Sequence, residues 1–264
     1  MAVMLPPPFL AFAHGLPDGR RAIFDVHSGL ITDRRWRPFL AFTLAAFRTD
    51  DILLAHNEVD AEILRSRVSS NIVILQDPAL TAAAMRDKRR TVQPQKTRTE
   101  RAVPLVLFPS SGDSDEPLEL FAAVGAGLAA RKHAEVVVTG RRAKSTITTE
   151  LICTPGFLPQ EDYDQLMESA DIVVALSTRP NIIQRAAFEA VLVGARPVVA
   201  ESIPLRRILG EFAEYVDPAS ESSVLGGIDR AIGRGRPTEV ELKSIRGKIA
   251  CQEKEQISAV RELL

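Results

Sequence analysis

Short apolar runs alternate with longer segments of helical periodicity along most of the chain. The short runs are rich in Val, Ile, Leu and Ala, which is typical of strands buried on both faces of a parallel sheet. In the first third of the sequence, strands are expected at 3–5, 22–26, 51–55 and 71–75, and helices at 38–48 and 58–68. The triple proline at 6–8 should end the first strand. This alternation predicts an α/β fold with helices packed over a parallel sheet.

The same alternation resumes after residue 102. Strands are expected at 103–108, 135–139, 151–153, 171–176, 197–200 and 214–216, and helices at 116–130, 160–169, 205–209, 220–232 and 237–263. A further helix should pass through Ile183, Ala187 and Val191 and end at a glycine cap on Gly194, and a loop is expected from Gly140. The pattern predicts a second domain that is also built on a parallel sheet.

A strongly basic segment that contains two prolines separates these regions. We therefore divide the chain into a partial first domain at 1–76, a linker at 77–101, a second domain at 102–236 and a C-terminal helix at 237–264. The basic residues of the segment are Arg86, Lys88, Arg89, Arg90, Lys96, Arg98 and Arg101. Two interpretations stay open. The segment is either a solvated connection or a patch for anionic lipid headgroups, to which each nearby cation adds about 1 kcal/mol.

The composition is that of an ordinary soluble globular protein. The 264 residues are 45% hydrophobic and 25% charged with a formal net charge of −1, so nothing global indicates nucleic-acid binding. Cys153 and Cys251 are far apart and show no metal-ligand spacing, which favours a reducing cytosol and predicts no metal site. No apolar run is long enough to span a bilayer, and no basic region precedes the first apolar stretch, so no signal peptide is expected.

The segment from Ser169 to Glu201 is the most informative about function. Its strand, polar loop, helix, turn and second strand form one βαβ unit. The helix begins just beyond the carboxyl end of a strand, where open α/β sheets bind ligands because free N–H groups and the positive helix end face an anion. Glu189 is expected about two turns into this helix. It either forms an exposed i, i+4 pair with Arg185 or accepts hydrogen bonds from the two ribose hydroxyls of a nucleotide.

Four stretches together carry a recognisable pattern. They are Ser169-Ala-Asp171, Phe188-Glu-Ala190, Gly194-Ala-Arg-Pro-Val-Val199 and Tyr215-Val-Asp-Pro218. The pattern resembles the donor-binding half of GT-B glycosyltransferases, most closely the retaining, sugar-nucleotide-dependent family 4. The resemblance implies a GT-B-like α/β fold of two Rossmann-like parallel-sheet domains. The first domain resembles only the second half of the family's acceptor-side domain, so it is expected to be incomplete at its N-terminus.

The resemblance also implies roles for individual residues. Glu189 matches the family glutamate that holds the ribose, and Ile182 and Ile183 join it in the donor-binding set. A second family glutamate falls on Asn181, which is neutral and cannot do the same electrostatic work. His27 follows a predicted strand and matches the family histidine that contacts the donor sugar, although a histidine in this place often simply faces solvent. His27 and Asn181 are therefore the expected catalytic residues.

The cations that clamp the donor diphosphate in the family are missing from their expected place. An Arg and a Lys should lie between Pro109 and Pro117, but the segment there is acidic and contains no cation. Other cations would have to neutralise the phosphates. The candidates are Arg141, Arg142, Arg179 and Arg185, each of which is alternatively an ordinary surface arginine.

With this resemblance, the sequence predicts a glycosyltransferase of the hexosyltransferase type. It would move a sugar from a nucleoside-diphosphate donor to a cellular acceptor, lipid-linked or polysaccharide, in the cytoplasm or at the inner face of the membrane. The donor is a co-substrate, and neither another cofactor nor a metal is expected. Two alternatives stay open: a non-catalytic nucleotide-sugar-binding or scaffold protein, and a nucleotide-sugar epimerase on the same fold.

Overall fold

The structure is a computed structural model that describes residues 2–4, 22–32, 44–45, 47–76 and 101–264. The chain divides into two compact units. As far as their residues are described, the first comprises Met1–Pro78, Pro180–Ile183 and Ala250–Leu264, and the second comprises Ala79–Arg179 and Gln184–Ile249. The triple proline, most of the helix expected at 38–48 and all of the basic segment except Arg101 lie outside the described residues.

The described part of the first unit is built on a parallel sheet with the strand order β1-β2-β3-β4. Its elements are β1 (Ala2–Met4), β2 (Ile23–Val26), α1 (Ser28–Thr32), β3 (Ile52–Ala55), α2 (Glu58–Arg65) and β4 (Asn71–Ile74). Phe24, Leu53 and Leu64 are buried in its core. Asn57 caps α2, because its side chain accepts a hydrogen bond of 2.9 Å from the backbone N–H of Asp60.

The second unit is built on a sheet of parallel strands in the order β10-β9-β8-β5-β6-β7. Its strands are β5 (Leu105–Pro109), β6 (Glu135–Thr139), β7 (Cys153–Gly156), β8 (Ile172–Ala175), β9 (Arg196–Ala200) and β10 (Glu214–Val216). Its helices are α3 (Leu118–Ala130), α4 (Arg141–Thr146), α5 (Gln160–Ser169), α6 (Arg185–Val193), α7 (Ile203–Leu209), α8 (Glu221–Arg234) and the first part of α9 (Glu239–Glu262).

Helices cover both faces of this second sheet, as the apolar runs predict. Every residue of β8 and β9 is buried. On one face Phe121 of α3 and Ile228 of α8 belong to a core cluster with Val174, and on the other face Met167 and Ala190 form a cluster with Val173. Strands without a polar side are expected where a parallel sheet is sandwiched between helices. The α/β prediction is therefore confirmed.

Two local predictions were wrong. The loop expected from Gly140 is the six-residue helix α4, which starts immediately after this glycine. Gly140 has a φ of 101°, and an added Cβ would lie 2.4 Å from the carbonyl oxygen of Ser110, which follows β5. Glycine is therefore required where the chain turns this close to Ser110. The second correction concerns Ile183, which lies before α6 rather than within it, because the N-cap Gln184 has an extended backbone and the helix begins at Arg185.

The ends of α6 follow simple rules of helix termination. Gly194 adopts the left-handed conformation at the C-cap, as predicted, and donates its backbone N–H to the carbonyl groups of Ala190 and Val191. At the other end Gln184 occupies the N-cap without a capping bond from its side chain. The first amide groups of α6 therefore have no side-chain acceptor at the N-cap. Within the part of the chain that the structure describes, no helix is long and apolar enough to cross a membrane.

Arg196 is a buried cation at the start of β9, with 1% of its surface exposed. Its guanidinium donates to the carbonyl groups of Gly235 and Phe212 at 3.2 and 3.3 Å. It also donates to Glu241 of α9 at 3.0 Å. The backbone N–H of Thr238, followed by the Arg196 guanidinium, lowers the pKa of Glu241 to about 2. This one side chain therefore joins β9 to α9 and to the turn after α8.

Replacing Arg196 with methionine should destabilise the protein. The carbonyl group of the buried residue Phe212 loses a donor, and leaving a buried acceptor unpaired costs about 1–3 kcal/mol. We expect a decrease of about 1–3 kcal/mol in the free energy of unfolding at pH 7, measured by urea denaturation. Part of this difference should vanish as the pH falls from 4.5 towards 2, because Glu241 becomes protonated and its contribution is lost. Arg131→Met, at an exposed guanidinium, is the control, and an equal loss there would contradict the assignment.

Candidate functional site

The candidate site lies at the carboxyl edge of the second sheet. All described strands of this sheet are parallel, so the loops after β5, β6 and β8 leave from the same edge. In open α/β sheets ligands bind at this edge. Contacts between the loops confirm that they are close together, since Ser110, Gly140 and Asp115 each touch a neighbouring loop or strand end.

The loop after β5 is organised by the carboxylate of Glu116. Glu116 is buried, with 7% of its surface exposed. It accepts hydrogen bonds from the backbone N–H groups of Ser111 and Gly112 at 2.8 and 3.1 Å. The hydroxyl groups of Ser110 and Ser111 donate to it at 2.5 and 2.8 Å. Backbone N–H groups that converge on one point typically form an anion-binding site, and here the carboxylate of Glu116 occupies this site.

Asp115, the neighbouring acidic residue, connects the loop after β5 to the loop after β8. The hydroxyl group of Ser177 donates to its carboxylate, and the backbone N–H of Thr178 donates to its carbonyl group at 2.8 Å. The guanidinium of Arg179 lies 3.5 Å from the same carboxylate. Arg179, predicted to neutralise phosphate, is therefore already paired with an acidic side chain.

Arg141 and Arg142 are the first two residues of α4 and contact different partners. The guanidinium of Arg142 donates to the carbonyl group of Asp113 at 3.0 Å and lies 3.8 Å from Glu119. The guanidinium of Arg141 lies 5.2 Å from the ring centroid of Phe157, which follows β7 and is 71% exposed. An exposed aromatic ring at this edge offers a surface on which a flat ligand group can stack.

Glu189 is a partly buried carboxylate with 15% of its side chain exposed. Its Oε1 lies 3.1 Å from Nε of Arg185, so the predicted i, i+4 pair is present. Its Oε2 accepts a hydrogen bond of 2.7 Å from the hydroxyl group of Tyr163, on α5. Burial, and then the Glu189 carboxylate, raise the pKa of Tyr163 above its ordinary value. Glu189 is the fifth residue of α6, about one turn from its start rather than the expected two.

These contacts leave Glu189 with capacity for a ligand. A carboxylate has about four lone-pair sites, and the two observed donors use one on each oxygen. Tyr163 and Arg185 fix the orientation of the group, which reduces the entropy lost when it binds a diol. The arrangement is suited to accept hydrogen bonds from two neighbouring hydroxyl groups.

Asn181 lies in the segment Pro180–Ile183, which belongs to the first unit. Its φ of 60° is left-handed, a conformation in which Asn is much more frequent than larger side chains. Its carbonyl group accepts a hydrogen bond of 3.2 Å from the side chain of Asn57. The backbone conformation gives a physical reason for Asn at a position where the family has Glu.

His27 lies in the first unit beside two other titratable groups. Asp25 is in β2, and His56 follows β3 directly. Nε2 of His56 is 2.7 Å from Oδ1 of Asp25, and Nε2 of His27 is 3.4 Å from Oδ2. Burial alone would raise the pKa of Asp25, but hydrogen bonds to His27 and His56 hold it well below its ordinary value. The predicted sugar-contacting histidine is thus one member of a three-residue cluster.

The second unit therefore brings Arg142 and Arg179 against the loop after β5, and Arg185 against Glu189, whereas Arg141 lies over Phe157. Sequence reasoning did not identify Tyr163 or Phe157 as site residues. It placed Glu116 at the start of the helix expected at 116–130, and the burial of this carboxylate is visible only in three dimensions.

A pocket at the opposite, amino edge of the second sheet is unsuited to an anion. It has a volume of about 270 Å³ and is lined by Arg101, Asp171 and Arg236 among others. Arg236 donates to the carbonyl groups of Ala170 and Gly194 and to Asp171, and Arg101 donates to Ser169 and pairs with Glu135. The two guanidinium groups are therefore engaged in structural contacts.

Solved structures identify the fold as that of the GT-B glycosyltransferases, with the same α/β architecture of parallel sheets, which confirms the fold resemblance predicted from the sequence. Similar structures include the UDP-forming α,α-trehalose-phosphate synthase from Burkholderia xenovorans, with a TM-score of 0.70, 12% identity, and coverage of 97% of this chain and 71% of that chain. The α,α-trehalose 6-phosphate synthase from Burkholderia multivorans has a TM-score of 0.71 and 12% identity, and the match covers 99% of this chain and 70% of that chain. HepE from Anabaena, in complex with UDP-glucose, has a TM-score of 0.67 and 11% identity, and the match covers 99% of this chain and 77% of that chain.

Comparisons at the level of sequence add nothing to this result. No protein-family model matches the chain, and no curated protein matches it. Identities of 11–12% establish the fold alone, so the activity has to be argued from the site.

The role of Glu116 can be tested by removing its charge. Glu116→Gln keeps the shape of the side chain but has one acceptor oxygen in place of two, so donors on the loop after β5 lose their partner. We expect the free energy of unfolding to fall by about 1–3 kcal/mol, measured by urea denaturation. The control is Glu119→Gln, where the side chain is 71% exposed and the change should stay within about 0.5 kcal/mol. Equal effects in the two variants would contradict the role of Glu116 in holding the loop after β5.

Proposed function

We propose that the protein is a glycosyltransferase that transfers a hexose from a nucleoside-diphosphate sugar to a cellular acceptor, lipid-linked or polysaccharide. The observation that carries the proposal is the carboxylate of Glu189, oriented by Tyr163 at the carboxyl edge of a GT-B-type sheet. This residue matches the ribose-holding glutamate of the family. The solved structures of similar fold include a UDP-forming synthase and a protein bound to UDP-glucose, which supports a nucleotide-sugar donor.

The donor would use four features of the second unit. The ribose hydroxyl groups would donate to the two lone-pair sites that Glu189 has left. The diphosphate would lie at the start of α6, where the N-cap side chain does not satisfy the first amide groups and the helix dipole is positive. Arg185 pairs with Glu189 through Nε, and with 57% of its side chain exposed beside this turn it is the cation best placed to meet the diphosphate with its terminal nitrogens. The ring of Phe157 would supply a stacking surface for the base.

Arg179 and Arg142 would contribute less to phosphate binding than the sequence suggests. Each already contacts the acidic loop after β5, Arg179 through Asp115 and Arg142 through the carbonyl group of Asp113, and Arg142 also lies 3.8 Å from Glu119 of α3. A phosphate would have to compete with these partners. By family resemblance, the contacts with the sugar are assigned to His27 and Asn181, and no cofactor beyond the donor is proposed.

A second candidate function is non-catalytic binding of a nucleotide sugar. It is favoured by one observation, the internal carboxylate of Glu116 on the backbone N–H groups of Ser111 and Gly112. A leaving diphosphate needs stabilisation as its charge develops, and converging amide groups often supply it. With those groups already engaged, binding could persist while transfer is slow.

Both candidates can be separated in one experiment. The protein is incubated with UDP-glucose and other UDP- and GDP-hexoses, with and without a membrane extract as the source of acceptors. A transferase releases nucleoside diphosphate only when acceptors are present and labels them with the sugar. A binding protein gives saturable affinity by calorimetry without release, and an epimerised donor in the absence of acceptors would identify an epimerase. Absence of both binding and release would contradict the proposal.

Glu189→Ala should weaken nucleotide binding. Hydrogen bonds to a charged acceptor are worth about 1.5–3 kcal/mol, so the dissociation constant for UDP or GDP should rise roughly 10- to 100-fold. Tyr163→Phe should have a smaller effect, because it removes only the group that orients the carboxylate. The measurement is isothermal titration calorimetry. The control is Glu161→Ala at an exposed position of α5, and equal affinity in Glu189→Ala and the parent would remove Glu189 from the site.

We also propose that the basic segment at 77–101 contacts an anionic membrane surface. Arg101, its last member, is engaged with Ser169 and Glu135, so the proposal rests on the cations from Arg86 to Arg98. Flotation with vesicles that contain phosphatidylserine should be strong at low salt and fade as salt rises. The double variant Arg89→Glu and Arg90→Glu should float less. Flotation that is independent of lipid charge would leave the segment as a plain linker.

A further inference from the structure

The strand register of the first unit places two histidines side by side. Strands β2 and β3 are parallel, with Val26 beside Ala55 as the last pair of their ladder. His27 and His56 are the next residues on each strand, and their rings lie 4.2 Å apart with an angle of 36° between them. Asp25 precedes His27 by two residues, and such residues point to the same side of a strand. The carboxyl edge of this sheet therefore gathers two imidazoles and one carboxylate.

The geometry of this cluster is that of a set of metal ligands. One nitrogen of each histidine and one oxygen of Asp25 all lie within 4.8 Å of one another. Both histidines direct Nε2 to the carboxylate, at 2.7 Å from His56 and 3.4 Å from His27. Ligands at about 2.0–2.2 Å from a zinc-type ion lie roughly 3–3.5 Å from each other, so small shifts of the side chains would admit an ion.

A buried network holds the two histidines in place. Ser28 follows His27, and Asn57 follows His56, and both donate to the same carboxylate of Asp60. Asn57 does so at 2.8 Å, and both Asn57 and Asp60 have no exposed surface. Asp60 therefore cross-links the two strand ends directly behind the histidines. A site that is fixed in this way needs little reorganisation to bind an ion, because supporting contacts already orient its ligands.

From these observations we propose that Asp25, His27 and His56 bind a divalent transition-metal ion of the zinc class. Two imidazoles and one carboxylate suit zinc, cobalt, nickel, copper or iron and do not suit magnesium or calcium, which prefer oxygen ligands. Three protein ligands leave at least one coordination position open, which distinguishes the site from closed structural zinc sites. The side chain of His27 is 50% exposed, so an ion and a further ligand have access from solvent. This site goes beyond the proposed transfer reaction and does not depend on it.

The test measures ion binding in the full chain without an affinity tag. The two exposed cysteines are first replaced, Cys153→Ser and Cys251→Ser, because thiols also bind zinc. After dialysis against a chelator, the protein is titrated with zinc in a calorimeter. Cobalt binding is followed in parallel, because the visible absorption of bound cobalt differs from that of the hydrated ion. We expect one equivalent of ion per chain and an increase in the melting temperature, since the ion binds the folded state.

The variants Asp25→Asn, His27→Ala and His56→Ala should each weaken zinc binding by more than about 10-fold, the least that loss of even a supporting partner costs at such sites. Circular dichroism checks that each variant is folded. If a change at the more buried positions disturbs folding, zinc binding by His27→Ala is the deciding measurement. The matched control is His133→Ala, which removes an imidazole that lies 3.4 Å from the carboxylate of Asp229 and should bind zinc like the parent. Absence of binding in the parent, unchanged binding in His27→Ala, or an equal loss in His133→Ala would overturn the proposal.

Discussion

Two adjacent carboxylates, those of Asp115 and Glu116, hold together the loops on which the candidate site depends. Glu116 shapes the loop after β5 from within, and Asp115 fastens this loop to the one after β8. Gly140 allows the end of β6 to pack closely against the loop after β5, because it has no Cβ to clash with the carbonyl group of Ser110. The carboxyl edge is therefore assembled by internal acid-to-amide and acid-to-hydroxyl bonds.

This construction has an electrostatic consequence. In the family, cations lie in the loop after the first strand of this domain and meet the diphosphate. Here that loop is acidic, and it binds Arg142 and Arg179 itself. Neutralisation of a diphosphate would fall to the start of α6 and to Arg185. We infer that recognition of the ribose and the base contributes a larger share of the affinity than recognition of the phosphates.

Much of the architecture could be predicted from the sequence because it follows from local patterns. The apolar runs at β8 and β9 have no polar side, and this feature alone indicates a sheet covered on both faces. Gly194 could be identified as a cap because few residues other than glycine adopt its left-handed conformation. The start of α6 and the helix α4 could not be placed, since they depend on the extended backbone at Gln184 and on the approach of Gly140 to Ser110.

The chemistry of the sites was harder to predict, because it depends on contacts between residues distant in sequence. Glu189 could be singled out from its apolar neighbours, but its partner Tyr163 lies on another helix. His27 and His56 are distant in sequence and become neighbours only through the register of β2 and β3. The acidic loop is a departure from the family pattern in sequence, and the buried, hydrogen-bonded carboxylate of Glu116 shows that it is a structural element.

We propose that a nucleotide sugar binds at the carboxyl edge of the second sheet. Amide hydrogen exchange, measured with and without UDP-glucose and the corresponding GDP-hexose, tests this claim directly because it locates the ligand on the chain. We expect slower exchange in the first turns of α6, up to Glu189, and around Phe157, with no change around Arg101 and Arg236. Protection confined to that amino-edge pocket, or no protection by any nucleotide sugar, would contradict it.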